Sequence, residues 1–441
     1  MPLRTVRHWV VAVLIPLPAL GTAQQLSPAD RQLIVVKLWA EARTNYAYWD
    51  RVHADWDSAL TANLALAAGR PTDRQFFHAL RRLVALLSDG ESEVRAPGSV
   101  RARVARPPIE FQTVQRRPFI VDYAPNDEMR IARPERLAEV VAVQGIPVDT
   151  WIRDSVLPEV GGATPTARWE RAVASMLEGE KGTALHLQLR LPGGAERGAS
   201  VTRAVALTDH WPFERAALDG DTLPGGVVWV RITSLADPDV VRLFDRAFPD
   251  FATVTGIILD LRQGGGDPGH GAAGREAGYQ ILARLMDHPF VTSRWRTLDY
   301  RPAYRGQDMP DSTGAWFIVP PDTIRPRTDR PRFKGPVAVL SSSRTSGAAE
   351  DLLVAFRNAA RGPIVGAASA GSTGQALSIS LPKGWSFQLC VTRDAFPDGS
   401  EFAGSGVAPE LPVVVTVEDF LAGRDAALDR AREYMSQTPR R

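Results

Sequence analysis

Gly335-Pro336-Val337-Ala338-Val339-Leu340-Ser341-Ser342-Ser343-Arg344-Thr345-Ser346-Gly347-Ala348-Ala349-Glu350-Asp351 is the stretch on which the architecture turns. Its unbroken apolar run, Val337 to Leu340, entered through Gly-Pro and left through serines, reads as a strand buried on both faces. A helix is predicted from Ala348 to Arg357, where Leu352 and Phe356 recur at helical spacing. Val227 to Ile232, Ile257 to Leu261 and Ile364 to Val365 read as further buried strands. Helices are predicted from Asp237 to Phe248 and from Ala272 to Leu285. Strands alternating with helices make residues 219–430 an α/β layer domain, with 431–441 as a C-terminal tail. The proline-rich piece from Pro302 to Pro336 is expected to cross the surface.

Before this domain, residues 95–218 hold short β-prone runs such as Ile109 to Phe111, Val140 to Val143 and Leu185 to Leu191, divided by Gly and Pro, and read as a β-rich module. Residues 24–94 read as helical. Ser27, Pro28 and Asp30 make a helix start, after which Ile34, Val35, Leu38, Trp39, Ala42 and Tyr46 share one face. Trp56, Leu60 and Leu64 mark a second helix; Phe76, Leu80, Leu83 and Leu87 mark a third, which Thr72 and Gln75 open as a capping box. The aromatic residues here read as core. Arg4, Arg7 and His8 precede an apolar run from Trp9 to Leu20, and Gly21 and Ala23 are small, so residues 1–23 read as a cleavable signal peptide. The run is shorter than the roughly 20 residues that span a bilayer and contains Pro16 and Pro18. The mature protein is therefore expected to begin near Gln24, periplasmic or secreted, without a membrane span.

Across 441 residues, 52 Lys and Arg against 50 Asp and Glu leave a net charge of +2 and no basic cluster, which argues against a nucleic-acid partner. The lone cysteine, Cys390, has no intramolecular partner and, between Leu389 and Val391, reads as a buried strand thiol.

Three segments at strand ends are placed where α/β folds put their chemistry. Asp260-Leu261-Arg262-Gln263-Gly264-Gly265-Gly266 offers backbone amides free of side-chain cover. The serine loop 341–347 enters a helix, whose positive end favours a nucleophile. Ile364-Val365-Gly366-Ala367-Ala368-Ser369-Ala370-Gly371-Ser372-Thr373-Gly374-Gln375 is followed by Asp398-Gly399-Ser400-Glu401-Phe402 and Gly406-Val407-Ala408-Pro409.

In this order and spacing the three segments resemble the signature of the tail-specific, C-terminal processing serine peptidases related to tricorn. The resemblance implies a crotonase-like, Clp-protease-like α/β core acting on extended polypeptides through Ser–Lys or Ser–His chemistry, with no metal and no cofactor. It also implies a PDZ-like module, which Val141-Ala142-Val143-Gln144-Gly145-Ile146-Pro147-Val148 and Leu185 to Leu191 resemble. Such a module takes up a chain end as an added strand. Glu350 and Glu401 match glutamates of the family, and Gly265, Gly266 and the amide of Ala348 match its oxyanion donors, with Gly264 where asparagine is common.

The reacting groups are substituted. The nucleophile's position, three before Glu350, holds Gly347; the lysine position after Gly371 holds Ser372. The histidine position, within Asp89-Gly90-Glu91-Ser92, holds Glu91. A protein that binds extended or C-terminal peptide with hydrolysis weak or lost is the expected outcome. An active peptidase using Ser346 or Ser372 is the alternative, and an apolar small-ligand carrier a weaker one. Ser346 has a commoner use as a helix cap, and His270 as a solvated loop residue. All readings require the helix start at 347, the glycine turn after Leu261 and the tip at 89–92 to share one groove.

Overall fold

The computed structural model describes residues 26–124, 135–251, 254–264, 271–301, 303, 315–329 and 332–438. The signal-peptide reading falls outside them. Ser27 opens the helix Pro28–Asn45 by a reciprocal pair: its Oγ accepts the Asp30 amide at 3.1 Å, and Asp30 Oδ2 accepts the Ser27 amide at 3.0 Å. Helices Trp56–Ala68 and Asp73–Ala85 follow, the latter opened by the Thr72/Gln75 box. The apolar stripe of these helices does not close on itself. Strand Glu93–Arg95 pairs antiparallel with Ser386–Cys390, Val94 opposite Phe387, and the helices bury their stripe against Trp385, Phe387, Leu389 and Cys390. Cys390 is fully buried, and burial pushes its thiol well up.

The middle module is an antiparallel sheet of Ile109–Val114, Arg117–Tyr123, Glu139–Val143, Ala184–Arg190 and Glu196–Thr202, adjacent in chain order. Helix Pro165–Ser175 packs Trp169, Ala172 and Val173 onto it. That helix is absent from the sequence reading. Its signal was local: Pro165 at the first helical position after Thr164, whose Oγ1 accepts the Ala167 amide at 3.1 Å.

The third part is a six-stranded sheet in the order Leu218–Leu223, Val227–Ile232, Gly256–Asp260, Val337–Ser341, Ile364–Gly366, Leu411–Pro412, antiparallel at the first pair and parallel thereafter. Alternate residues face opposite layers. Ile257, Leu259, Val337 and Val339 join one core with helices Gly271–Ala283 and Ala348–Asn358. Ile258, Ala338 and Leu340 meet Ala431 and Met435 of helix Ala426–Gln437 on the other face. The stretch after 430, read as a tail, is thus mostly packed helix. Ala348 to Phe356 are all buried, and the neighbouring helix comes close because Gly274 carries no side chain: a Cβ there would sit 3.0 Å from that of Ala348. Of the proline-rich piece, the described residues 303, 315–329 and 332–336 are divided: Phe317 is 59% exposed, whereas Phe333 is buried in the core, and the piece carries strand Trp316–Val319, paired with Arg294–Leu298. No helix among the described residues is long and apolar enough to cross a membrane.

Candidate active site

The serine loop is sewn onto the glycine turn by its own polar groups. Thr345 Oγ1 donates to Leu261 O at 2.8 Å, Ser342 Oγ to Arg262 O at 2.7 Å, and the Ser346 amide to Gly264 O at 3.3 Å. The Gly347 amide donates to Ser372 O at 2.8 Å, joining the third segment. Glu350 braces that segment from within the protein: its carboxylate accepts Ser369 Oγ at 2.5 Å and the amides of Gly371 and Ser372 at 2.7 and 3.0 Å. Burial nevertheless outweighs these hydrogen bonds and pushes Glu350 up to about 8.

Residues 89–92 reach the same place. Asp89 holds the turn by accepting the Glu91 amide at 3.0 Å and Ser92 Oγ at 2.6 Å. Arg171, from the helix Pro165–Ser175, donates to Gly90 O at 2.5 Å. The result is a cleft of about 340 Å³ lined by Gly90, Glu91, Glu170, Arg171, Gln263, Arg344, Ser346 and Ser372, among others. Glu91 is 5% exposed; burial and then the Asp89 charge push its carboxyl well up, against the pull of Arg171. It therefore favours its protonated form, in which a carboxyl can donate a hydrogen bond. Ser372 Oγ is buried without a hydrogen-bond partner among the described residues.

Gly90 has no room for a side chain, since a Cβ there would lie 2.3 Å from Ser372 Oγ and 2.8 Å from Arg171 Nη1. Gly90→Ala is expected to cost about 1–3 kcal/mol by overpacking, read as a urea midpoint. Adding Ser372→Gly should recover part of the loss. An unchanged midpoint in the single variant would mean that the tip does not press on Ser372.

Gly347 caps the helix Ala348–Asn358 with φ +57° and ψ −127°, a conformation that an L side chain adopts only with strain. This corrects the capping role expected for Ser346: the helix has no side-chain cap, and Ser346 supplies its carbonyl, to the Ala349 amide at 3.2 Å. Ser346 Oγ makes no hydrogen bond among the described residues. The Ala348 amide is buried at the helix start, likewise without a described acceptor. Gly265, Gly266 and His270 lie outside the described residues. Glu401 does not line the cleft; it accepts Arg51 Nη2 at 2.7 Å and Arg296 Nη2 at 2.5 Å, tying the N-terminal helices to the core. Among the described residues no three His, Cys, Asp or Glu side chains gather as a metal site.

Two features escaped the sequence. Glu170 and Arg171 enter the cleft from the middle module. Behind the cleft, Arg275 bridges Asp351 at 2.9 Å and Asp394 at 3.0 Å, both buried.

Residues 226–413 match the model of peptidase family S41. No curated protein resembles the chain closely enough in sequence to count as a match. Among solved structures, mature CPAF complexed with lactacystin superposes with a TM-score of 0.71 at 15% identity, over 93% of this chain and 98% of that one. Mature CPAF gives 0.68 at 15% identity, over 93% and 96%. The photosystem II D1 C-terminal processing protease gives 0.49 at 19%, over 88% and 94%. At these identities the two CPAF structures speak for the shared fold.

Proposed function

We propose, from the premise that this chain belongs through residues 226–413 to the tail-specific peptidase family S41, that it binds extended or C-terminal polypeptide segments in the cleft without efficient serine hydrolysis. The reading rests on Gly347: at the turn into the helix where a nucleophile would gain from the backbone geometry, there is no side chain to attack. No histidine or lysine is among the described residues lining the cleft. The middle module fits a peptide-holding role of the PDZ-like kind, because Ile109–Val114 is an edge strand among the described residues and Pro165–Ser175, packed beside it, also walls the cleft. Export behind a leader ending near Ala23 belongs to the same proposal; sequencing the mature N-terminus checks it.

The runner-up reading, a rearranged peptidase, draws on the unpartnered Ser372 Oγ. Among the described residues lining the cleft, no histidine or lysine stands beside it as the base that would activate a serine. The small-ligand reading is disfavoured by the charged walls of the cleft.

The wild type is expected to resist a fluorophosphonate probe and to leave a denatured substrate intact, while still binding it. The double variant Gly347→Ser, Glu91→His should gain cleavage by roughly 10²-fold or more, the usual contribution of a positioned base. The serine carries a strain cost of about 1–3 kcal/mol at that backbone angle, so circular dichroism must accompany the assay. Labelling of wild type that disappears in Ser346→Ala or Ser372→Ala would install the runner-up instead.

A further inference from the structure

A second cavity, about 430 Å³, lies between the helical unit and the middle module and shares Glu93 and Arg171 with the cleft. One wall is apolar, from Phe77, Val84, Val94 and Leu207. Its carboxylates are already neutralised. Glu93 pairs with Arg95, Glu178 with Arg81 at 3.0 Å, and Glu159 with Arg82 at 3.1 Å and His78 at 2.6 Å.

Two cations on its wall are not so matched. Arg101 donates to Leu207 O at 2.8 Å and Arg171 to Gly90 O at 2.5 Å, and neither forms an ion pair among the described residues. Asp89 and Glu91 act on Arg171 only through space. A guanidinium has five N–H donors in a planar fork, so most of the donors of both arginines remain unspent. Two such forks beside an apolar wall make a receptor for an anionic head on an apolar body.

We propose that this chamber binds a small organic anion, a carboxylate or phosphate on a compact apolar body, through Arg101 and Arg171. Because Arg171 also holds the carbonyl of Gly90, occupancy bears directly on the turn that carries Glu91 into the cleft. The site is independent of whether the cleft binds peptide.

Phenylphosphate is the probe, titrated calorimetrically into the full chain at low salt. Saturable one-to-one binding is expected, weakened by added salt, with inorganic phosphate binding at least several-fold more weakly for want of the ring. Arg101→Gln with Arg171→Gln should weaken binding tenfold or more, and Arg101→Lys should lose part of it, since a lysine keeps charge but not the fork. No binding to folded wild type at millimolar probe would overturn the proposal. So would binding that Arg344→Gln abolishes and Arg101→Gln leaves intact, because the anion would then sit in the cleft.

Discussion

Arg275→Met is expected to destabilise the protein by about 3–5 kcal/mol, the usual cost of removing one partner from a buried ion pair. The guanidinium joins helix Gly271–Ala283 to Asp351 on the helix that starts at the cleft and to Asp394 on strand Thr392–Ala395. Asp351 also accepts Ser293 Oγ at 2.6 Å, and Asp394 accepts Thr373 Oγ1 at 3.3 Å. Without the arginine two carboxylates face each other in a site with 2% and 0% exposure, and burial already pushes Asp394 up. Neutralising them by Asp351→Asn and Asp394→Asn in the same chain should return much of the loss, because the cost is the stranded charge rather than the missing contact. Urea midpoints of the single and triple variants decide it. A loss below about 1 kcal/mol in the single variant would mean that water already screens the network.

Stability is expected to fall as the solution passes from mildly acid to alkaline. Glu350, ordinarily at 4.5, is raised to about 8 by burial, and Glu91, Asp89 and Glu170 are raised for the same first reason. Below pH 4.5 folded and unfolded chains both hold the Glu350 proton. Above it the unfolded chain releases the proton first, so the folded state is progressively penalised until the pH passes about 8. A tenfold difference in proton affinity between the two states corresponds to about 1.4 kcal/mol, so the fall amounts to a few kcal/mol. Carboxylates held low by caps, such as Asp30 and Asp55, act in the opposite sense, losing their contribution as pH falls through and below 3.8. The maximum should therefore lie in the mildly acid range. Glu91→Gln should leave the urea midpoint near pH 5 almost unchanged and raise it near pH 8.5, where the unfolded chain has released the proton that burial holds on Glu91. A flat profile in wild type would contradict the burial of these carboxyls.

The strands around the cleft are legible in the sequence because their apolar runs are continuous: Val337 to Leu340 reads as a strand, and the strand is Val337–Ser341. The meeting of the serine loop and the third segment with residues 89–92 is legible too, through the resemblance. Legibility ends where contacts join distant positions without local pattern. Arg171 meets Gly90 across the module boundary, and Arg275, Asp351 and Asp394 come from three separate elements. Ser346 misleads for a different reason. Serine before a helix usually caps it, but the turn here places Gly347 at the cap with a positive φ, and the hydroxyl is left out.

The pairing of Glu93–Arg95 with Ser386–Cys390 also sets the order in which the molecule can be made. Phe76 and Phe77 stack edge-on against Trp385, with ring centres 5.5 and 6.0 Å away. A ribosome delivers that tryptophan roughly 300 residues later, a delay of about 15–60 s at ordinary elongation rates. For all that time the nascent helices carry an uncovered oily face, a natural handhold for a chaperone. The groove beside Glu91 takes its final form only once almost the whole polypeptide has emerged, so prematurely terminated fragments inherit the stickiness without the cleft.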